Sequence, residues 1–592
     1  MLSPRNHEVP GGQESSWDRR QILLAVLGLL LLVWVVFLPA LWFEFITLDV
    51  PKQIVNNPYV RGLTPANLAH IFSSRCVTSY YPVRTLTYAI DYQLWELNPM
   101  GFKLTNCLLH SSNVLLVFWL ILRLFDFPMA TAAEGRHWRD VALAAFAAAV
   151  FAVHPVVVEP VAWVPGREEL LTTLGALGCL HFYLTARRTE LAGARRRVVV
   201  ACYAAAAFCC AGACLSNAVA AVIPLIVTAW DLLTLPRPRL GKIVRSTSAL
   251  WAIGIAAVLI KRWGYAQHSA LQEAAEVSAL LNRMGYVGGR SIGEVGMFSP
   301  QRLMLVLNVY WLNLKTLAWP TDLAISYDPL LPRSFLQTGV ILGSVAALAT
   351  CGVLWRVRRR TLLLFGLLWF VLALGPTAQI IPHHLHRGDR FLYLPLVGLA
   401  IALAVGLRPV VRSLNRPGTV TVWLAASVAA LIALDRMSTA QVHIWRNDLA
   451  VWENCVRVAP NNYVAHRILA DKLAQAGEHD RASAHYQAAL RMNVHNVEGL
   501  THFARHLALA DDLSKRDYDL AIRLATSACE LSEWHNPKPI RVLAITHNNF
   551  GEDLRQRGRF DEAIQQYRKA IDRDTEYASP MLNLALLLAT CP

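Results

Sequence analysis

Several stretches of this sequence gather side chains able to do polar chemistry, and nearly all of them lie between long apolar runs. The first is Asp49, within FEFITLDV. Tyr80-Tyr81-Pro82-Val83-Arg84 follows, then Asp91, then Lys103-Leu104-Thr105-Asn106 and His110. HPVVVEPVAWVPGREE supplies His154, Glu159, Arg167, Glu168 and Glu169. PHHLHRGDRFLYLP supplies His383, His384, His386, Arg387, Asp389 and Arg390. A carboxylate can take the proton of a reacting hydroxyl. A planar guanidinium can grip phosphate oxygens through parallel N–H bonds, so RGDR reads as a cationic cradle for a phosphate. A metal site is the other use of three histidines, but HHLH in a loop defines no ligand geometry, and no metal ligands are assigned. His110 reads as a satisfied bundle histidine. By spacing alone Asp49 is an interfacial loop carboxylate, and the charges at 154–169 also suit a Pro-rich helix terminus facing solvent.

The elements that must hold these groups are membrane helices. The 592 residues are 55% apolar and 16% charged, against about 25% charged in soluble proteins, with a mean hydropathy of +0.36. That excludes a disordered protein and argues against an ordinary soluble enzyme. The net charge is +15, but residues 440–592 carry 18 Lys and Arg against 19 Asp and Glu, leaving 38 against 22 for residues 1–439. The basic excess therefore sits between apolar runs, where it reports topology and not a nucleic-acid surface. Seven of the 11 cysteines fall inside apolar runs and no CxxC pair occurs, so they read as small hydrophobes.

A bilayer-spanning helix needs about 20 apolar residues. Ile22–Leu41, preceded by Arg19 and Arg20, is such a run, and with no small-residue cleavage site after it reads as a retained signal anchor. Eleven more runs lie near 104–124, 141–159, 168–186, 198–214, 217–233, 246–262, 302–319, 335–355, 361–381, 391–407 and 419–434. Arg-rich joints at 187–197, 237–245, 356–360 and 408–416 belong in the cytoplasm. Strict alternation of twelve spans breaks this rule. The run at 302–319, with Asn308, Asn313 and Lys315, is therefore read as re-entrant or lodged in protein. About eleven crossings remain, with the N-terminus inside and everything after 434 outside. Residues 43–103, 263–301 and 382–390 then form the outer segments. The prolines in HPVVVEPVAWVP predict a broken helix there.

From about 445 the pattern changes. Ala470, Leu473, Ala482, Tyr486 and Ala489 occupy the packing positions of a 34-residue tetratricopeptide repeat. Ala504, then Ala521, Ala525 and Ala528, continue the register after an insertion near 510–517, and Gly551, Leu554, Ala563, Tyr567 and Ala570 form another unit. Trp452, Cys455 and Pro460 read as a leading half-repeat, and Met581–Leu588 as a first helix without its second.

Taken in order, the first-loop Asp, NNPYVRGLT, YYPVRTLTYAIDYQLWELNP, FKLTNCLLH, HPVVVEPVAWVPGREELL, WPTDLAISYDP and GDRFLYLPLVGLA, with repeats behind them, resemble the transmembrane and tetratricopeptide-repeat protein family and its bacterial relatives. That family is similar to the protein O-mannosyltransferases and has the multi-span GT-C fold. The resemblance covers nearly the whole chain and rests on collinear order. It departs in three places: the family has two acidic residues where this chain has Asp49 and Val50, its Ser-Arg/Glu-Arg-Lys-Asp stretch reads PGREE, and its Ser-Lys-Pro reads Ser216-Asn217-Ala218.

The resemblance implies an all-α chain: a cytoplasmic segment 1–21, a GT-C-like membrane domain 22–439 with an outer loop 43–103, and a repeat solenoid 440–592. It implies transfer of a sugar, mannose in the family, from a polyprenyl- or dolichyl-phosphate donor to an acceptor hydroxyl, a Ser or Thr of a protein or peptide. Asp49 would be the base. Arg84, His154, Glu159, Arg167, Asp389 and Arg390 would line the substrate site. No cofactor is required, with a divalent cation left open. The other partners are membrane lipid and proteins held by the repeats, but no nucleic acid. The site would face the periplasm of a bacterial inner membrane or the lumen of the endoplasmic reticulum. The alternative is a non-catalytic, membrane-anchored repeat scaffold with a degenerate transferase core. A transporter is disfavoured by the sparse charge inside the spans.

Overall fold

The structure, a computed structural model, describes residues 18–73, 80–126, 138–235, 240–269, 296–327, 331–381, 387–510 and 515–590. Among these residues the regular elements are helices. The membrane half comprises α1 (Arg19–Phe37), α2 (Pro65–Phe72), α3 (Pro82–Trp95), α4 (Pro99–Phe125), α5 (Trp138–Val153), α6 (Val158–Ala162), α7 (Arg167–Leu191), α8 (Arg196–Cys214), α9 (Ile223–Thr234), α10 (Leu240–Ser269), α11 (Pro300–Ala318), α12 (Thr338–Val357), α13 (Thr361–Leu374), α14 (Tyr393–Ser413) and α15 (Pro417–Ile444). All twelve apolar runs read from the sequence are helical. Seven helices are long and apolar enough to cross a membrane by themselves, and α5 with the segment after it makes an eighth, bent by 54°. The bend falls at His154-Pro155, as the prolines require. Below that length, Ala218–Thr234 and Thr361–Thr377 are shorter apolar helices.

The bundle has two polar ends. At one end the buried Asp140 of α5 accepts hydrogen bonds from Arg408 and Arg412 of α14, and Asp231 of α9 accepts from Tyr183 of α7 at 2.6 Å and lies 3.4 Å from Arg187. This is the arginine face. The opposite end carries the first loop, α2, α3 and the repeats, and is called here the repeat face. The 25-residue α7, about 37 Å long, starts at Arg167 on the repeat face and reaches Arg187 on the arginine face. It therefore runs the full depth of the bundle, although its charged ends lower its hydropathy.

The expected non-crossing segment, α11, is an unbroken helix of 19 residues. Near its start Arg302 donates to Gln379 at 2.9 Å. At its end the Leu317 carbonyl meets His154 at 3.0 Å and Thr316 accepts from Arg387 at 2.8 Å. Both ends thus meet residues beyond the repeat-face ends of α13 and α5, which suits a segment lodged there.

Helix seams in lipid are made by small residues, because apolar tails offer no hydrophobic drive between helices. A Cβ on Gly366 would lie 2.8 Å from the Ala402 nitrogen, and one on Gly398 would lie 2.6 Å from the Gly366 oxygen. Backbone contact between α13 and α14 is thereby fixed by two glycines.

The repeats are α16 (Asp448–Val458), α17 (Tyr463–Gln475) with α18 (His479–Met492), α19 (Val497–Leu509) with α20 (Tyr518–Leu531), α21 (Pro537–Gln556) with α22 (Phe560–Arg573), and α23 (Ala578–Thr590). The alanines, leucines and tyrosines read as packing positions are buried between these helices, from Ala470 at 0% exposure to Tyr486 at 2%. Gly477 and Gly558 turn the first helix of a pair into the second at φ +80° and +75°, a region that favours glycine. The helix α15 continues to Ile444, so the boundary expected at 440 falls inside a helix and the repeats begin at Asp448.

Candidate active site

The broken helix after α5 positions the first two site residues. His154 caps the short turn that follows it, its Nδ1 accepting from the Val156 N–H at 3.4 Å while Nε2 donates to the Leu317 carbonyl. Glu159 then lies on α6. A Cβ on Gly166 would come within 2.7 Å of the Pro160 Cα, so only glycine lets the chain fold back from α6 into α7.

Glu159 is 3% exposed and holds Arg390 twice. Its Oε2 accepts the Arg390 backbone N–H at 3.1 Å, and its Oε1 accepts from Nη1 at 2.5 Å. The guanidinium lies over Trp163, 5.2 Å from the ring centre, and its Nε is buried with no hydrogen-bond partner. Next to it, Asp389 accepts from the Tyr327 hydroxyl, whose oxygen lies 2.7 and 2.8 Å from the two carboxylate oxygens, and from the Ala324 N–H at 3.1 Å. Burial, and then the Asp389 charge, raise the Tyr327 phenol well above its ordinary pKa, so it stays a donor. Arg387 stacks over the Tyr327 ring at 3.4 Å.

Arg167 is placed differently. It is fully buried and pairs with Asp91 of α3 at 2.6 Å. Its Nε donates to Asn106 at 2.8 Å, Nη2 to the Phe102 carbonyl at 2.7 Å and Nη1 to Thr87 at 3.2 Å. The partner carboxylate also accepts from Thr105 at 2.6 Å, and burial raises its pKa although Arg167 opposes that. Arg167, expected among the residues lining the substrate site, is corrected on this geometry to a residue that braces the fold, because every nitrogen of its guanidinium is already engaged by protein. Arg84 instead resembles Arg390. Its Nη1 meets Glu168 at 2.6 Å, and its Nε is buried without a hydrogen-bond partner. Glu168 and Glu169 also act electrostatically on Arg390. Two incompletely satisfied guanidiniums therefore flank the start of α7.

Asp49 stands near the start of the first loop with φ +64° and an exposed side chain. Aspartate is among the few residues that tolerate this left-handed region. The carbonyl before it, that of Leu48, accepts from the Trp163 indole at 3.3 Å, so the same tryptophan touches the Asp49 loop and carries Arg390. Val50 turns inward instead. It is 1% exposed among Ile54, Val60, Ile71, Tyr88, Phe102 and Val164. Lys103, also buried, fastens this loop by donating to the Phe43 and Glu44 carbonyls at 2.6 and 2.9 Å.

A groove beside the site is lined by Tyr80, Tyr81, Leu215, Ala218, Ala257 and Ile260. Tyr81 at its edge stacks on the Arg84 guanidinium at 4.8 Å. Two departures from the family pattern meet nearby, since Glu169 accepts from Asn217 at 3.2 Å. His110 is satisfied between the Tyr393 hydroxyl and the Ala152 carbonyl, at 2.7 and 3.0 Å. His383, His384 and His386 lie outside the described residues, among which no group of three or more His, Cys, Asp or Glu side chains could hold a metal ion. Sequence reasoning assigned no role to Tyr327, Trp163 or Asp91. The first stands in WPTDLAISYDP, where only its place in the collinear series marked it.

Residues 551–590 match the tetratricopeptide-repeat family. Over 553 residues the chain is 24% identical to protein O-mannosyl-transferase Tmtc3 of Drosophila melanogaster, covering 85% of this chain and 58% of that protein. It is 25% identical over 476 residues to the human protein O-mannosyl-transferase TMTC4, covering 74% and 62%. A Caenorhabditis elegans protein O-mannosyl-transferase, F38B6.6, is 32% identical over 204 residues, 32% of this chain and 28% of that protein. The chain thus spans less than two thirds of the length of these relatives. With apolar helices first and tetratricopeptide repeats behind, the chain is similar over most of its length to the transmembrane and tetratricopeptide-repeat proteins named protein O-mannosyl-transferases.

Proposed function

We propose that this multi-pass membrane protein transfers a sugar, mannose by likeness to its relatives, from a polyprenyl- or dolichyl-phosphate donor to a hydroxyl of a polypeptide on the repeat face. The observation that carries this is Arg390: a guanidinium clamped on one side by Glu159, with its buried Nε left without a partner. A phosphate oxygen would complete it, and Arg84 repeats the arrangement beside Glu168. A face away from the cytoplasm calls for a lipid-borne donor, since nucleotide sugars are cytoplasmic. The repeat face is assigned to the periplasm or the lumen on this basis.

In the reaction the acceptor oxygen attacks the anomeric carbon as the carbon–phosphate-oxygen bond breaks, through an oxocarbenium-like state. The acceptor proton passes to the Asp49 carboxylate. The lipid phosphate leaves with the bonding pair, its growing charge met by Arg390 and Arg84. Glu159 and Asp389 hold Arg390 and its neighbour Arg387 in place, His154 fixes the turn before Glu159, and Arg167 braces α3 and α4 beneath them. No metal enters this scheme.

The test is to supply membranes bearing the chain with polyprenyl-phosphate mannose and Ser/Thr peptides. Transfer by the wild type and its loss in Arg390→Ala would support the reading; no transfer by the wild type would defeat it. The alternative, a repeat scaffold with a degenerate core, is favoured by one observation, the burial of Val50 where the family has a second acid.

A further inference from the structure

The first turn of the repeats touches both halves of the candidate site. On one side Asp448 at the start of α16 accepts the Thr47 backbone N–H at 2.8 Å, two residues before Asp49, while its other oxygen pairs with Lys472 of α17 at 3.0 Å. The Glu44 N–H also donates to the Arg446 carbonyl at 3.3 Å. On the other side lies the loop 322–327. Asn454 donates to the Leu323 carbonyl at 2.8 Å, and Asn462 donates through Nδ2 to the Ser326 hydroxyl at 3.0 Å and the Tyr327 carbonyl at 3.2 Å. That same Tyr327 holds Asp389, next to Arg390.

We propose that Asp448, Asn454 and Asn462 are positioning residues of the transferase site, fixing the Asp49 loop and the Tyr327–Asp389 loop to one rigid stretch of the repeat solenoid. The proposal rests on the functional reading given above. Its physical ground is that Asp49 stands on the first loop while Arg390, on the short turn Asp389–Leu392, is steadied through Asp389 by the loop 322–327, and Trp163 is the one side chain described above that touches both. A misplacement of about 1 Å between reacting groups can cost about a hundredfold in rate. The stretch 448–462 supplies a second, more rigid joint. Because Asp448 also grips α17, an acceptor polypeptide held along the first repeat pair would bear on the geometry of the chemistry itself. Repeats of this kind are then more than a tether for the acceptor.

Asn462 separates this role from ordinary helix capping. Its Oδ1 caps α17 by accepting the Ala465 N–H at 3.1 Å, while its Nδ2 makes both contacts to the loop. Asn462→Asp keeps the cap and loses the donors. The full-length chain would be compared with Asn462→Asp and Asp448→Ala in lipid nanodiscs. Amide exchange over 322–327 and over 44–49 would be read alongside thermal unfolding of the repeats and transfer from polyprenyl-phosphate mannose to a Ser/Thr peptide.

Asn462→Asp should speed exchange over 322–327 by about tenfold, the worth of one or two lost hydrogen bonds. Repeat unfolding should stay in place. The kcat should fall at least tenfold with the donor KM changed less than twofold. Asp448→Ala should do the same over 44–49. Unchanged exchange in both variants overturns the proposal, and so does faster exchange with an unchanged kcat. A wild-type chain that transfers no sugar defeats the transferase reading instead, and the exchange result alone then decides whether the repeats fix the two loops.

Discussion

Glu159 grips Arg390 by its backbone and by its side chain at once, at 3.1 and 2.5 Å, and leaves the Arg390 Nε pointing at no protein acceptor. A purely structural ion pair in a buried site is normally satisfied on all sides, because an unmade bond there costs about 1–3 kcal/mol. Arg390→Ala should therefore lower transfer by about 10²–10³-fold, the usual cost of removing a preorganised donor from a developing anion. Arg390→Lys should recover only part of it, since the planar fork is lost. Initial rates at saturating acceptor check this; equal rates in all three proteins would remove Arg390 from the site.

Arg167 should behave in the opposite way. Its three nitrogens are spent on Asp91, Asn106, Phe102 and Thr87. Arg167→Ala leaves Asp91 buried and unpaired, a loss of about 3–5 kcal/mol, seen as earlier thermal unfolding of the detergent-purified chain. In the fraction that remains folded, donor KM should stay near the wild-type value. A variant that unfolds like the wild type but no longer uses donor would return Arg167 to the phosphate.

The two polar ends of the bundle make a topological prediction. The Asp140–Arg408–Arg412 group should mark the face that stays in the cytoplasm, by the bias of Arg-rich joints. The repeats lie at the other end. A reporter active only in the cytoplasm, fused after Leu434, should be silent. If it is active, the repeats share the compartment of the Arg-rich joints and a lipid-borne donor is no longer called for.

Much of this was legible in the sequence. Each of the twelve apolar runs proved helical, and the residues spaced as repeat packing positions, from Ala470 to Ala570, are buried between helices. The prolines of HPVVVEPVAWVP marked the bend. Pairing inside the site was not legible. Arg167 and Arg390 carry the same chemical group, and only the three-dimensional approach of Asp91, 76 residues earlier, distinguishes a satisfied guanidinium from an unsatisfied one. Tyr327 sits 62 residues from the carboxylate it serves, and no periodicity links positions so far apart. The surroundings of Val50 were not legible for a related reason. Set against a family pattern, it is a missing acid, while its actual surroundings are the apolar floor of the first loop.

That floor sets the last prediction, which concerns neighbouring residues with opposite fates. Asp49 is exposed, and none of the described hydrogen bonds or ion pairs involves its carboxylate. Asp49→Asn keeps the side chain's shape and the tolerance for a left-handed backbone while removing proton acceptance. Folding and insertion should be unaffected, and transfer should fall by roughly 10²–10⁴-fold, as for loss of a general base. Val50→Asp, which would restore the family's acidic pair, should do the reverse. It forces a carboxylate into a space 1% exposed between Ile54, Val60, Ile71 and Phe102, at a cost of about 3–5 kcal/mol for an unpaired buried charge. The first loop should then loosen, with protease cutting between residues 43 and 73 and no gain of activity. Should Val50→Asp fold as the wild type does and transfer sugar faster, position 50 is open to the site after all, and the apolar floor is an acquired loss of function. Should Asp49→Asn transfer at the wild-type rate, proton removal lies with another group, and Asp49 keeps only its place as the left-handed hinge that sends Val50 inward.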